Sequence, residues 1–261
     1  MARTIDYQEN KAPPDNSEIA VVQSGTTYKI KLKNASKLVS PIVFPSLAWE
    51  FLNPSNIKPF FGTAISAGTI TAIASIAKHP GILRIASVAA ANSGYALGLN
   101  ENPVAPGANG RMYVVGDDVV NGVFRMPTTT DASVLMGIAN YYIRDVNLDA
   151  GVYIYISGTT LRGGSRDSSV ETITTTTYSV VANTWYSFRI IVNGAMTEAT
   201  FFLYDEAGTL LWSDTITTNI PTIVPGNEVD LKIYAAKTSA GAANILDIDF
   251  FSFQSGKLRT R

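Results

Sequence analysis

Thr184–Trp212 reads TWYSFRIIVNGAMTEATFFLYDEAGTLLW. Tyr186, Phe188, Ile190 and Val192 recur at every second position, with Ser187 and Arg189 between them, which is the period of a strand buried on one side. Asn193-Gly194 and Asp205-Glu206-Ala207-Gly208 carry turn residues: Asn and Asp bond their own backbone, and glycine supplies positive φ. Apolar runs of strand length beside these turns predict strands over 185–192, 199–204 and 209–216, joined as antiparallel hairpins.

The pattern extends in both directions. Further candidate strands are 82–86, 94–98, 111–115, 121–126, 133–138, 152–156, 170–178, 228–235 and 245–253. Turns are predicted at Gly116-Asp117-Asp118, Ser157-Gly158, Arg162-Gly163-Gly164 and Pro225-Gly226-Asn227. In Val152-Tyr153-Ile154-Tyr155-Ile156 the aliphatic residues share one face and the tyrosines the other. Short strands at this spacing, with no helical periodicity between them, predict an all-β antiparallel sandwich. Upstream, His79-Pro80-Gly81 reads as a corner before the strand ILRIA, because proline fixes its own φ and keeps His79 out of the helical region.

Residues 1–18 are polar and broken by Pro13-Pro14, an arm without its own core. Ile19–Val22, a turn at Gln23–Thr26 and the alternating Tyr28–Lys33 form a hairpin. Residues 34–65 carry Pro41, Pro45, Pro54 and Pro59 with Trp49, Phe51, Phe60 and Phe61, a connector whose aromatics anchor it to the main body. The predicted division is an N-terminal arm and hairpin over 1–45 and a sandwich over 46–261.

The 261 residues hold 20 basic and 21 acidic side chains, a net charge of −1, so no overall field draws nucleic acid or an anionic membrane. Charged residues are only 16% of the chain, against about 25% in an average soluble domain. With no cysteine there is no disulfide framework and no thiolate chemistry. The first residues lack a secretion signal, and no apolar run reaches the ~18 residues of a membrane helix, so the expected product is made soluble in a cytoplasm.

His79 is the single histidine, without an acidic neighbour in sequence, and reads as a turn residue whose ring packs locally. No G-x-S-x-G elbow occurs to make it part of a triad. Asp247-Ile248-Asp249 puts two carboxylates on one strand face, about 7 Å apart by the rise of a strand, and they read as solvated and outward. Asp117-Asp118 and Asp205-Glu206 sit in turns that favour aspartate in any case, so no catalytic group, metal or cofactor is expected. Tyr153, Tyr155, Arg162 and Arg166, facing outward around the 157–168 loop, are the candidate glycan contacts. The basic tail Lys257–Arg261 frays or touches a neighbouring subunit.

Three resemblances add to this. HPGILRIAS (79–87) and ANSGYALGL (91–99) resemble a segment of tail-fibre, spike and head-fibre proteins of tailed bacteriophages. Val21, Gln23, Gly25, Thr27 and Lys29 match a V-x-Q-x-G-x-T-x-K wording in hairpins of the virion-attaching parts of such fibres. The hairpin pair at 184–212 and the closing ILDIDFFSF resemble the second half of concanavalin-like (laminin-G-like) jelly rolls. The resemblance implies a virion structural protein, attached through its N-terminus to other virion proteins, homo-oligomeric with trimers favoured. Its jelly-roll body would contact bacterial surface glycans. Polysaccharide lyases and glycosidases also use this fold, but the third acid of laminarinase-like strands is missing after Asp249, and the Q-I-H and Y-x-K of alginate-lyase-like sandwiches are absent. A capsid decoration protein without a receptor is the remaining alternative.

Overall fold

The computed structural model describes residues 18–23, 26–31, 46–50, 61–65, 67–98, 113–140, 150–223, 229–241 and 243–255, with backbone alone for the segments before residue 67. The chain divides into two units, 1–44 with residue 261, and 45–260. In the first, β1 (Glu18–Gln23) pairs antiparallel with β2 (Thr26–Lys31), Val21 opposite Tyr28 and Ala20 opposite Lys29. Gly25 lies outside the described residues.

The second unit is an all-β, concanavalin-like jelly-roll sandwich, with no helix among the described residues. Its strands are β3 (Ser46–Glu50), β4 (Phe61–Ile65), β5 (Thr69–Ile73), β6 (Ile82–Ala86), β7 (Gly94–Gly98), β8 (Val119–Arg125), β9 (Ala132–Ala139), β10 (Gly151–Ser157), β11 (Thr160–Asp167), β12 (Val170–Ile173), β13 (Tyr178–Ser179), β14 (Trp185–Val192), β15 (Ala199–Asp205), β16 (Leu210–Ile216), β17 (Asp230–Lys237) and β18 (Ile245–Gln254). One sheet runs β12-β11-β10-β9-β17-β7-β4, with β13 also on β11; the other runs β16-β15-β14-β8-β18-β6-β5, with β3 also on β18. Every pairing is antiparallel.

The core forms where the inward faces meet, and the alternation read from sequence sets which residues those are. Phe188 and Ile190 of β14, Phe124 of β8 and Phe251 of β18 face Ile154 of β10 and Met136 of β9. Phe188 lies 6.1 Å from Phe124 and 6.2 Å from Phe251, ring centre to ring centre. Gly122 makes that crowding possible, since a Cβ there would stand 2.4 Å from the Phe188 ring.

The turn expected at Arg162-Gly163-Gly164 does not exist; the segment is the middle of β11. Its glycines mark close packing instead of a bend. A Cβ at Gly163 would come within 2.6 Å of the Phe201 ring, and one at Gly164 within 2.5 Å of Tyr153. The 170–178 strand breaks into β12 and β13, because Asp214 captures the Thr176 amide and hydroxyl, both at 2.7 Å. Tyr113–Val115 is not a strand, and residues 111–112 and 225–227 fall outside the described residues. The corner expected at 79–81 lies earlier: Ile76 and His79 exchange backbone hydrogen bonds of 3.1 and 2.9 Å across Ala77-Lys78, with Lys78 at φ 69°.

The outer face of the first sheet is also apolar. Ala96, Leu135, Tyr153, Tyr155, Tyr234 and Ala236 form a second buried cluster there. Beside it Lys232 is 2% exposed, its Nζ 3.4 Å from Asp230, and Gly98 leaves room for the ammonium. Burial pushes the Lys232 pKa down, and the Asp230 charge and hydrogen bond oppose that shift. A lysine whose folded pKa is depressed holds fewer protons folded than unfolded, between that value and the ordinary one of about 10.4, so stability rises with pH across the window. Melting temperature is therefore expected to climb towards alkaline pH in the native protein, and Lys232→Met is expected to flatten that slope; equal slopes would refute the assignment.

Candidate functional site

On the outer face of the second sheet, β6, β18, β8 and β14 lie side by side, and their register lines up Arg84, Asp247, Arg125 and Trp185. Asp247 is fully buried between two guanidinium groups. Arg84 donates to it through Nε at 2.7 Å and Nη2 at 2.9 Å, and Arg125 through Nε at 3.1 Å and Nη2 at 2.5 Å. The hydrogen bond to Asp247 raises the Arg84 pKa, against the opposing effect of burial. Arg125, fixed in this way, places its Cζ 5.0 Å from the centre of the Trp185 ring, a cation–π approach.

His79 meets the same indole. The two rings stack with centres 3.8 Å apart and planes 17° from parallel. Nδ1–H of His79 donates to Asp249 Oδ2 at 3.0 Å. A β-bulge delivers that carboxylate: Ile248 pairs with Phe124 but Phe250 with Val123, so Asp249 is the extra residue of β18. The inward side chains change parity with it, running Leu246, Ile248 and then Phe251, Phe253. Because a carboxylate only accepts, Nδ1 carries a proton, and in the neutral tautomer the lone pair lies on Nε2.

These side chains line a depression of about 280 Å³, with Lys78, Asp205, Glu206 and Ser187 around them. Glu206 Oε1 takes Lys78 Nζ at 3.0 Å and stands 3.9 Å from His79 Nε2, too far for a hydrogen bond. Asp205 Oδ1 caps the turn by accepting from the Thr209 amide at 2.7 Å. His79 is 5% exposed and Trp185 7%, and neither Nε2 of the imidazole nor Nε1 of the indole has a hydrogen-bond partner among the described residues. The two stacked rings thus line one acidic hollow, with an unmet nitrogen on each that is itself shielded from solvent.

This arrangement corrects two expectations. Asp247 and Asp249 share an outer face but are not solvated; one is clamped by arginines and the other orients the histidine. His79 does not pack locally, since its carboxylate partner is 170 residues away. The candidate glycan contacts lie elsewhere. Tyr153 and Tyr155 are buried on the first sheet, Tyr153 donating to Glu171, and Arg162 sits 5.4 Å from the Tyr155 ring centre. Arg162 and Arg166 belong to β11 of that sheet and do not line the depression. Asp118 serves its own turn, accepting from the Val115 amide at 2.8 Å and the Ser255 hydroxyl at 2.9 Å. Among the described residues no group of three or more His, Asp or Glu is placed to hold a metal ion.

The family model described as SO2946-like, C-terminal domain matches residues 78–249. The chain belongs to that family. The match begins beside His79 and ends on Asp249, so this SO2946-like domain contains the whole depression. SO2946 itself, a protein of unknown function from Shewanella oneidensis MR-1, is 18% identical, with a TM-score of 0.61 over 83% of this chain and 89% of that one. Peanut lectin with a bound 9mer peptide gives 14% identity and a TM-score of 0.55 over 83% and 99% of the two chains. The CBM2 module of the evolved Dit of Lactobacillus casei BL23 phage J-1 gives 11% and 0.53, over 80% and 95%. At these identities the likeness is one of fold, a lectin-like sandwich. No curated protein matches the chain.

Proposed function

We propose that this protein is a glycan-binding component of a tailed-bacteriophage particle, a fibre or spike subunit of head or tail. Residues 1–45 fasten it to other virion proteins, with Val21, Gln23, Gly25, Thr27 and Lys29 of the hairpin as the attaching residues. Residues 46–261 form the body that meets bacterial surface glycans, and the subunits assemble as trimers. The virion half draws support from the fibre-like wording at 19–33 and 79–97, and from the fold shared with the phage J-1 Dit module.

One observation carries the binding half. A buried donor or acceptor without a partner costs about 1–3 kcal/mol, and the stacked His79–Trp185 pair presents one of each. A hydroxyl would meet either need, accepting from indole Nε1–H or donating to imidazole Nε2 once the ring edge turns into the hollow, and sugar rings carry several. The hollow, about 280 Å³, lies at the small end of ligand pockets, which run to about 1,000 Å³, and admits one ring in preference to a chain.

Full-length protein on an array of bacterial surface polysaccharides is expected to select glycans. Calorimetry should then show affinity falling about tenfold in Trp185→Phe, which keeps a ring against His79 and removes the N–H. Absence of binding to any glycan would discard the binding half. Absence of the chain from purified particles by mass spectrometry would discard the virion half. A second reading, polysaccharide cleavage, draws on the Asp249-oriented imidazole, an arrangement suited to general-base work. New reducing ends or unsaturated products would move the protein to that class.

A further inference from the structure

We infer that the sugar ring held at the His79–Trp185 hollow carries a free amine, so that the site selects amino sugars over their N-acetylated and acidic counterparts. This rests on the glycan-binding reading and deepens it.

The charge around the hollow is lopsided. Among the described residues Lys78 is the one ammonium on its lining, against the carboxylates of Asp205, Glu206 and Asp249. Arg125 packs on the Trp185 ring and shares Asp247 with Arg84, and neither arginine lines the hollow. Asp249 is spent on His79 and one oxygen of Asp205 on the Thr209 amide. Among the described residues Glu206 is held only by Lys78, across a surface bridge whose side chains are 73% and 43% exposed. Such a bridge is worth about 0–1 kcal/mol, so an incoming ammonium displaces Lys78 at little cost.

The acceptors are also close enough to act together. His79 Nε2 and Glu206 Oε1 stand 3.9 Å apart, too far to bond each other and suited to receive neighbouring donors of one ligand. In its neutral form the imidazole offers its Nε2 lone pair to a ring hydroxyl, and the glutamate takes the adjacent ammonium. A uronic acid would set its carboxylate against Glu206 and Asp205, and like charges reject it. An N-acetyl group replaces the cation with a neutral amide and adds bulk to a small hollow.

The test is calorimetry on the full-length protein with three short oligosaccharides: glucosamine, N-acetylglucosamine and galacturonate oligomers. The glucosamine oligomer is expected to bind about tenfold tighter than the acetylated one, the scale of a hydrogen bond to a charged group, with no measurable binding of the galacturonate. Glu206→Gln is expected to bring the first two within about twofold of each other without moving the melting temperature, because Glu206 is exposed and bonded only to Lys78. Lys78→Ala is expected to widen the preference. Equal affinity for both oligomers in the native protein, or a preference that survives Glu206→Gln, would overturn the inference. Selection of some other glycan on the array would defeat it and leave the glycan-binding reading standing, whereas silence towards every glycan would remove both.

Discussion

Asp247→Ala is expected to lower the unfolding free energy by about 3–5 kcal/mol, a large share of the 5–15 kcal/mol that holds an ordinary domain together. The carboxylate is fully buried and takes four hydrogen bonds from Arg84 and Arg125. Removing it leaves two part-buried cations facing each other across β18 with nothing between them. The loss is one of pairing and not of volume, so replacing all three residues together by apolar ones of similar size is expected to recover most of it. Urea denaturation of the single and triple variants reads both. A single variant within about 1 kcal/mol of the native protein would show that solvent reaches the arginines and carries their charge.

Phe201→Ala is the second large effect, about 3–5 kcal/mol. Phe201 of β15 is fully buried, and its ring covers Gly163 of β11 in the facing sheet. Most truncations in a core are softened when neighbours lean into the space. Here the residue across the gap has no side chain to lean with. The same geometry supplies a rescue: Gly163→Val in the Phe201→Ala background is expected to refill part of the gap and recover stability. In the native background it is expected to cost about 1–3 kcal/mol by overpacking. Changes of the same sign in both backgrounds would show that the two positions do not share one space.

This pair also marks the limit of what could be read from the sequence. The strand at 185–192 is found where period-two alternation places it, because that segment buries one face and the side chains say so, and the strands at 82–86 and 94–98 are found where short apolar runs between turn residues place them. Arg162-Gly163-Gly164 carries turn residues, and nothing local tells a glycine that bends the chain from one that yields its side-chain space to Phe201 and Tyr153. Alternation separated Tyr153 and Tyr155 from their aliphatic neighbours correctly, yet "outside" turned out to mean a second buried cluster on the same sheet.

The site was legible only in pieces. The His79 corner and Asp247-Ile248-Asp249 both drew notice in the sequence, each judged against its own neighbours. Their chemistry comes from each other, and the link is a pairing 170 residues long, routed through a bulge that no local signal announces. Trp185 was noticed as the first residue of a strand. Its stacking on His79 depends on sheet order, which sets β14 beside β8 and β8 beside β18.

β18 is a neighbour to β3, β6 and β8 at once, and it follows all of them in the chain. During vectorial synthesis those three strands leave the ribosome without the ribbon that joins them, and Arg84 and Arg125 emerge more than a hundred residues ahead of their shared counter-ion. Nascent chains must therefore stay unzipped along the middle of this sheet until β18 itself is released. Chaperone demand and exposure to proteases should peak just before β18 emerges, and a product stopped short of Asp247 should accumulate neither folded sandwich nor ligand-binding hollow.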